Sequence, residues 1–462
     1  MSTLPLIWAD DLAAPFAWRD GQAISRHQYL ADVRQLAELL PENGAMLNLT
    51  GDRYRFAVGI GAAMLRGQSS LLPPNHTPDM IERLRGLFPA AYALVDHPSI
   101  EVALPIVHYP AEPAPLSSVT EVPQISEETL AVQVLTSGST GAPVPHAKRW
   151  GFLHKGALSE AQRLAEQMGL RSMNGVSLLA TVPAQHMYGF ESTVLLAMLS
   201  GAAIDTGRPF YPADIAAALS RAARPRMLVT TPFHLKSLLD SGVDLPAVDL
   251  TLCATAPLSP QLAARAEAGL AAPLMEIYGC TETGQVATRR TVAGAEWQTF
   301  DGLYITGDGD ASVAQGGHVP LATTLADVLE VITPTSFRLL GRSNDLINIA
   351  GKRSSLGHLN FHLNTIEGVS DGAFWLPPDD ATDGVVRLIA FVVAPGVPPA
   401  ELSKKVTAAM RQRVDAAFVP RRVVSVPELP RVEGTGKLPA GTFSAWAERA
   451  LAAASHRPAG EG

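Results

Sequence analysis

Residues 131–143 of the 462-residue chain read AVQVLTSGSTGAP, in which an apolar segment runs directly into glycines and hydroxyl-bearing residues. The pattern of residues 131–135 predicts a strand. Gly138 and Gly141 would let the backbone approach a polyphosphate closely and expose its N–H groups. Read alone, the segment is equally compatible with a surface loop rich in Ser and Gly. The predicted phosphate loop consists of Thr136, Ser137, Gly138, Ser139, Thr140 and Gly141.

Two other glycine-rich motifs do not fit this loop. The Walker pattern requires Gly-Lys-Ser/Thr five residues after its first glycine, and Pro143 and His146 occupy those places. The hydrolase pattern Gly-x-Ser-x-Gly is absent from the loop. Residues 434–437, GTGK, are a second false match because Leu438 follows the lysine. A nucleotide site here must therefore be of another kind.

Strand-like and helix-like segments alternate on both sides of the loop, which predicts an α/β fold with sheets covered by helices on both faces. A smaller α+β unit with its own pattern begins near residues 341–345. We expect a large N-terminal domain at 1–342, a small C-terminal domain at 343–452 and a frayed tail at 453–462. Predicted strands are 45–48, 70–72, 175–182, 226–230, 346–349 and 385–393, and predicted helices are 29–40, 56–66, 356–365 and 399–414.

The composition excludes several classes of protein. Hydrophobic residues make up 47% and charged residues 17% of the chain, which argues for a large core and against disorder. The net charge of −8 gives no reason to expect nucleic-acid binding. Two cysteines, Cys253 and Cys280, cannot build a disulfide framework or a four-ligand zinc site. No apolar stretch reaches the ~18 residues of a transmembrane segment, and we expect a cytoplasmic enzyme.

Five further motifs follow in a fixed order. They are TVPAQHMYG at 181–189, CATAPLS at 253–259, EIYGCTETG at 276–284, RSNDLINIAGKR at 342–353 and LPRVEGTGK at 429–437. With the loop, they resemble the adenylate-forming superfamily of acyl- and aryl-CoA synthetases, luciferases and peptide-synthetase adenylation domains, over nearly the whole chain.

One residue departs from that resemblance. The family usually has lysine directly after the loop proline, where this chain has Val144. The nearest lysine is Lys148. Either Lys148 reaches the phosphates from further along the chain, or this contact is missing.

The resemblance implies a role for each motif in the large domain. It assigns Tyr278 and Gly279 to adenine, Thr281 to phosphate, and Glu282 to Mg²⁺, for which a hard carboxylate oxygen is suited. His186 would line or gate the carboxylate site. The small residues that would lie beside adenine are Ala254, Thr255 and Ala256.

Two aspartates compete for the ribose. Residues 306–308 read TGD like the family's motif, but the family places its aspartate fifteen residues before the arginine of the domain junction. Counting back from Arg342 gives Asp327. We therefore predict that Asp327 binds the ribose, that Arg342 contacts ribose or phosphate, and that Asp308 belongs to a β-turn.

The last two motifs imply a moving C-terminal domain. By resemblance, Asn344 is the hinge, Gly351 lines the tunnel for a pantetheine arm, and Lys437 is the catalytic lysine that neutralises charge on the carboxylate and α-phosphate. The reaction implied is activation of a small carboxylic acid by ATP·Mg²⁺ as its adenylate, followed by transfer to a phosphopantetheine thiol.

The substrate and acceptor stay open at the level of sequence. Residues 137–143, 148–150 and 230–235 resemble compact ligases of aryl-polyene and xanthomonadin pigment pathways. That implies a 4-hydroxybenzoate-like acid and an acyl carrier protein. The alternatives are an aryl- or fatty-acyl-CoA synthetase that uses free CoA, and a non-catalytic nucleotide-binding homologue. A carrier could dock on the basic residues of the C-terminal domain, although a plain solvated helix face is the favoured explanation of them: Lys404, Lys405, Arg411, Arg413, Arg421 and Arg422.

Overall fold

The computed structural model describes residues 2–8, 10–116, 121–137, 143–309, 311–342, 346–349, 352–377, 388–432 and 438–455. The helices are α1 (Arg26–Leu39), α2 (Arg53–Leu65), α3 (Pro78–Leu87), α4 (Trp150–Gln167), α5 (Met187–Gly189), α6 (Leu196–Leu199), α7 (Pro212–Arg221), α8 (Pro232–Asp240), α9 (Pro260–Leu270), α10 (Leu356–Asn364), α11 (Pro399–Arg411) and α12 (Ala440–Ser455), with a π-helical segment at Phe190–Leu195 and 3₁₀ turns at Thr291–Ala293 and Ala416–Phe418.

The strands are β1 (Thr3–Pro5), β2 (Pro15–Arg19), β3 (Gln22–Ser25), β4 (Ala45–Asn48), β5 (Ser69–Leu72), β6 (Ala91–Val95), β7 (Ile106–His108), β8 (Gln124–Ser126), β9 (Leu130–Ser137), β10 (Pro143–Arg149), β11 (Ser177–Ala180), β12 (Ala203–Asp205), β13 (Arg226–Thr230), β14 (Leu250–Cys253), β15 (Leu274–Cys280), β16 (Gly284–Arg289), β17 (Glu296–Thr299), β18 (Leu303–Thr306), β19 (Val313–Gly316), β20 (Val319–Thr324), β21 (Asp327–Thr333), β22 (Ser336–Arg342), β23 (Leu346–Ile349), β24 (Lys352–Ser355), β25 (Asp371–Trp375), β26 (Ile389–Val393) and β27 (Arg422–Ser425).

Two large sheets form most of the molecule. One has the strand order β10-β9-β5-β4-β6-β7, and the other has the order β21-β22-β17-β16-β15-β14-β13-β11-β12-β2-β3. Within the second sheet, β15, β14, β13 and β11 are parallel neighbours, as are β11, β12 and β2. The alternation of strands and helices in the sequence thus produces helix-covered sheets, as predicted, in which many strand pairs are parallel.

Helix α2 lies between the two sheets. It contacts β5 and β9 of the first sheet and β12 of the second, and it is apolar on nearly all sides, as expected of a buried helix. Small residues permit the close packing. A Cβ at Gly59 would lie 2.4 Å from Nδ2 of Asn48, and one at Gly61 would lie 2.8 Å from the hydroxyl of Tyr29.

The C-terminal elements have hydrophobic cores of their own. One gathers residues of β23, β26, α10 and α11, and the other joins β25, β26, β27 and α12. These elements also touch the large sheets' helices: Gln261 donates to the Thr365 carbonyl at 2.7 Å, and Lys236 to the Ser370 carbonyl at 3.1 Å. The domain boundary after Arg342 stays a prediction.

The predicted strands at 45–48, 226–230 and 346–349 agree with β4, β13 and β23 residue for residue. Helix α12 continues to Ser455, three residues into the segment 453–462 that was predicted as a frayed tail. Phe443 and Ala447 on its inner face are buried in the core against β25 and β26. No helix among the described residues is long and apolar enough to cross a membrane.

Arg53 of α2 fixes the helix to the end of a parallel strand. It is 3% exposed, and its guanidinium donates to the carbonyls of Ala180, Val182 and Gly207. Burial lowers its pKa to about 10, and Asp205 opposes that shift. These bonds satisfy carbonyls at the place where β11 gives way to the 181–189 segment.

We predict that Arg53→Met lowers the free energy of unfolding by about 3 kcal/mol, because it leaves buried carbonyl acceptors without donors, at roughly 1–3 kcal/mol each. Arg66→Met, at an exposed position beyond the same helix, is the matched control and should have almost no effect. Chemical denaturation of the two variants checks this. Equal stabilities would show that Arg53 does not hold the strand end.

Candidate active site

Four neighbouring parallel strands end at one edge of the larger sheet, and predicted site segments follow β11, β14 and β15. The 181–189 segment follows β11, Thr231 begins the segment after β13, Ala254 follows β14 and Thr281 follows β15. Ligands of open parallel sheets bind at the carboxyl ends of the strands. Motifs separated by as much as a hundred residues in the chain are therefore brought to a common edge.

Thr281 and Glu282 lie in a tight turn between β15 and β16. The two strands are antiparallel, with Cys280 opposite Gly284 and a bulge at Gly279. A Cβ at Gly279 would lie 2.2 Å from the Gly284 carbonyl oxygen, so no larger residue fits that position. The turn holds Glu282 half-exposed, with 47% of its side chain accessible.

Tyr278 and Asp327, which were predicted separately, are joined by a hydrogen bond. The Tyr278 hydroxyl donates to Oδ2 of Asp327 at 2.8 Å. Tyr278 is 8% exposed and packs edge-on against Phe337. An aromatic ring and a carboxylate in this arrangement suit a base and its sugar, because the carboxylate has further lone pairs for ribose hydroxyls.

The register of one hairpin accounts for the fifteen-residue spacing between Asp327 and Arg342. These residues are the first of β21 and the last of β22, and they are directly opposite each other in the antiparallel pair. Opposed residues carry their side chains on the same face of a sheet. The Arg342 side chain lies outside the described residues, so its contact stays a prediction.

Asp308 has a structural contact of its own. Its Oδ1 accepts from the backbone N–H of Val331 at 3.2 Å, and the preceding Gly307 has a φ of +77°. The Asp308 carbonyl also accepts from Ala311 at 3.2 Å, which closes the predicted turn. The geometry thus favours Asp327 over Asp308 at the site.

The small residues after β14 adopt a strained turn. Thr255 has a φ of +81°, a region that β-branched residues rarely adopt. Such strain, of order 1–3 kcal/mol, concentrates at functional sites. Thr255 is exposed, and Ala254 and Ala256 on either side of it are half-buried. A flat ligand could approach the backbone here, in keeping with the adenine prediction.

His186 begins a short helix at the same edge and is exposed. Gly189 is required there, because a Cβ would lie 2.0 Å from the Pro183 carbonyl oxygen. Tyr188 donates to the Leu252 carbonyl at 2.9 Å, which ties this segment to β14. The helix continues as a π-helical segment at Phe190–Leu195, a feature often found near functional sites.

A group of polar residues lies directly behind the Thr281–Glu282 turn. Lys148 of β10 donates from Nζ to the Glu282 carbonyl oxygen at 2.7 Å, and Nε2 of His146 lies 3.8 Å from Oε1 of Glu282. Desolvation raises the pKa of Glu191 to about 8, and Lys148 opposes that shift. Burial also raises the pKa of Glu160 to about 7.

Several predicted residues cannot be located in this arrangement. Asn344, Gly351 and Lys437 lie outside the described residues, and so do Gly138, Ser139, Thr140 and Gly141. Thr136 and Ser137 are the last residues of β9, but their side chains are not described. The loop leads back into β10, which pairs antiparallel with β9. The phosphate loop and the catalytic lysine therefore stay predictions.

Sequence reasoning did not find Glu191 and Gln285, and it anticipated Lys148 only as a phosphate contact. Glu191 precedes an apolar stretch on a helix, and Gln285 is a strand residue, so neither belongs to a motif with obvious chemistry. Gln285 lies three residues after Glu282 in the same hairpin, and Glu191 reaches it from the π-helical segment.

Mg²⁺ would have to be held by few protein groups. Among the described residues, no group of three or more His, Cys, Asp and Glu side chains could hold a metal ion. Glu282 is half-exposed and offers hard oxygen, which fits an ion that keeps water and phosphate ligands and binds through one or two carboxylates. The site fits Mg²⁺ carried in by ATP.

Comparison with known proteins assigns the class. Residues 70–316, more than half of the chain, match the family described as AMP-binding enzyme. A 4-coumarate–CoA ligase of Rhodobacter capsulatus is 30% identical over 294 residues, which cover 64% of this chain and 71% of that protein. A 4-coumarate–CoA ligase of Halorhodospira halophila is 30% identical over 254 residues, covering 53% and 59%.

Solved structures agree on the fold. ATP-bound MatB from Rhodopseudomonas palustris superimposes with a TM-score of 0.76 at 17% identity, covering 95% of this chain and 97% of that one. The o-succinylbenzoate–CoA synthetase of Bacillus subtilis, in complex with ATP and magnesium ion, gives 0.75 at 17% identity, covering 96% and 100%.

The chain therefore belongs to the AMP-binding enzyme family and has the fold of the adenylate-forming ligases. Within it, the protein is an AMP-forming acid–thiol ligase, and enzymes of this class use ATP and Mg²⁺. The alternative of a non-catalytic homologue is set aside.

We predict that Asp327→Asn weakens ATP binding roughly tenfold, which corresponds to about 1.4 kcal/mol, by removing a charged acceptor for the ribose hydroxyls. The matched Asp308→Asn change should alter the Kd less than twofold. Calorimetric titration with ATP and with 2′,3′-dideoxy-ATP measures both effects. The preference of the wild type for ATP over the dideoxy compound should disappear in Asp327→Asn alone. Its loss in Asp308→Asn would reverse the assignment.

Proposed function

We propose that this ligase activates a hydroxy-substituted aromatic carboxylic acid as its adenylate and transfers it to a phosphopantetheine thiol. The hydrogen bond between Tyr278 and Asp327 at the carboxyl edge of the sheet carries the nucleotide part of the proposal. The aromatic acid is supported by the 4-coumarate ligases among the relatives and by the resemblance to pigment-pathway ligases.

In the first half-reaction, the substrate carboxylate attacks the α-phosphate, and pyrophosphate leaves. Two anions must approach each other, so the site has to supply positive charge and N–H donors. Thr281 and the N–H groups of the 136–141 loop would bind phosphate oxygens, and Glu282 would hold the Mg²⁺ that screens their charge. Tyr278, Thr255 and Asp327 would fix the adenosine. Lys437 would bridge the carboxylate and the α-phosphate.

In the second half-reaction, the C-terminal domain would turn about Asn344. That rotation would remove Lys437 and bring Gly351 to the site. The thiol then attacks the acyl carbon of the adenylate and loses its proton. The C–O bond to AMP breaks, and a thioester and AMP are formed. His186, exposed at the same edge, would line the path of the acid.

An acyl carrier protein is the acceptor that we propose, because exposed basic side chains cluster on α11 and β27. Lys404, Arg411, Arg421 and Arg422 are exposed, and carrier proteins are acidic, which favours association by charge. Arg413 is excluded from this surface, because it donates to the His362 carbonyl at 3.0 Å and to the Thr365 hydroxyl at 2.9 Å. Free CoA is the second candidate, favoured by the 4-coumarate–CoA ligases among the relatives.

For the acceptor, we predict that the double charge reversal Arg421→Glu/Arg422→Glu lowers kcat/KM for holo-acyl carrier protein at least tenfold, because it opposes the carrier's charge. Turnover with CoA and the ATP–pyrophosphate exchange rate should change less than twofold. Arg66→Glu/Arg171→Glu, which reverses two exposed charges elsewhere, is the control. If the enzyme turns over CoA efficiently and neither double charge reversal changes kcat/KM for the carrier protein, CoA is the acceptor.

A further inference from the structure

Strand β10 carries the residues that follow the phosphate loop, and alternate residues of a strand share one face. Val144, His146 and Lys148 lie on such a face. Four residues of strand span roughly 13 Å, so Lys148 is far from the position that Val144 occupies directly after the loop. Its ammonium group instead reaches across to the neighbouring sheet.

The contact it makes there is with the backbone of the Thr281–Glu282 turn. Nζ of Lys148 donates to the Glu282 carbonyl oxygen at 2.7 Å, the length of a charge-assisted hydrogen bond. A bond to the backbone fixes the peptide that follows Glu282 and does not involve the Glu282 carboxylate, whose Oε1 lies 3.8 Å from Nε2 of His146. The Lys148 ammonium group is thus bound to the turn that carries Glu282, the predicted Mg²⁺ ligand.

Glu191 holds the other end of the same turn. Its carboxylate accepts from the backbone N–H of Gln285 and interacts electrostatically with Lys148. Gly284 makes room for it: its φ is +75°, and a Cβ there would lie 2.7 Å from Oε1 of Glu191. Lys148 and Glu191 therefore brace the turn at residue 282 and at residue 285.

We propose that Lys148 is a positioning residue for Glu282, which acts on the bound nucleotide through the metal-binding turn rather than by touching phosphate. Glu191 is its partner. This inference rests on the proposed function of Glu282. It also gives a meaning to the valine at position 144, where the family usually has lysine. The cation of this segment is Lys148, and it supports the Mg²⁺ ligand from behind.

The test separates metal-dependent from metal-independent ATP binding. We expect Lys148→Met to weaken ATP binding about tenfold in the presence of Mg²⁺ and less than twofold in EDTA, because only the Mg²⁺ interaction depends on the position of Glu282. A direct phosphate contact predicts the opposite, with a loss at least as large in EDTA. Calorimetric titration measures both, and Lys155→Met, an exposed lysine of α4, is the matched control.

Two further variants test whether a loss of ATP binding reflects misfolding and whether a cation at position 144 can replace Lys148. Lys148→Arg keeps a cation and should recover most of the Mg²⁺-dependent affinity, while thermal unfolding reports whether each variant is folded. Val144→Lys in the Lys148→Met background restores a cation after the loop. It should not rescue binding if Lys148 acts through the turn, and rescue would overturn the proposal. Absence of ATP binding by the wild type under both conditions would instead refute the proposed function.

Discussion

Parallel pairing of β11, β13, β14 and β15 is the constraint on which the site depends. Because parallel strands point the same way, the chain must leave all four at one edge and return by a crossover on the sheet's face. Segments from residues 181, 231, 254 and 281 onward consequently share a boundary. The buried helix α2 supports that edge through Arg53. The position of the site therefore depends on the packing between the two sheets.

The antiparallel extension of the same sheet adds the second half of the proposed nucleotide site. Strand β15 turns back into β16 through Thr281 and Glu282, and the β21–β22 hairpin brings Asp327 within hydrogen-bonding distance of Tyr278. The left-handed backbone of Thr255 and the close approach of strands at Gly279 both lie where a ligand would approach. Rigid strands on both sides hold these conformations.

Short-range patterns predicted much of this structure, but contacts between distant segments could not be predicted. Residues 45–48 and 226–230 are short, mostly apolar segments, and they form β4 and β13 with the predicted bounds. Asp327 could be chosen over Asp308 because a hairpin keeps a constant spacing to Arg342. Lys148 and Glu191, by contrast, meet only through the packing of two sheets, and periodicity carries no information on that contact. Helix α12 was not predicted, and only its last three residues belong to the segment predicted as a tail.

The central claim is that this edge binds ATP and an aromatic acid together and joins them. The most direct measurement is acid-dependent exchange of labelled pyrophosphate into ATP, with 4-hydroxybenzoate, 4-coumarate and a medium-chain fatty acid, for the wild type and Lys437→Ala. The account predicts exchange that is fastest with the hydroxylated aromatic acids and is lost in Lys437→Ala, while that variant still forms thioester from supplied acyl-adenylate. Exchange that is unimpaired in Lys437→Ala, or absent from the wild type with every acid, would contradict it.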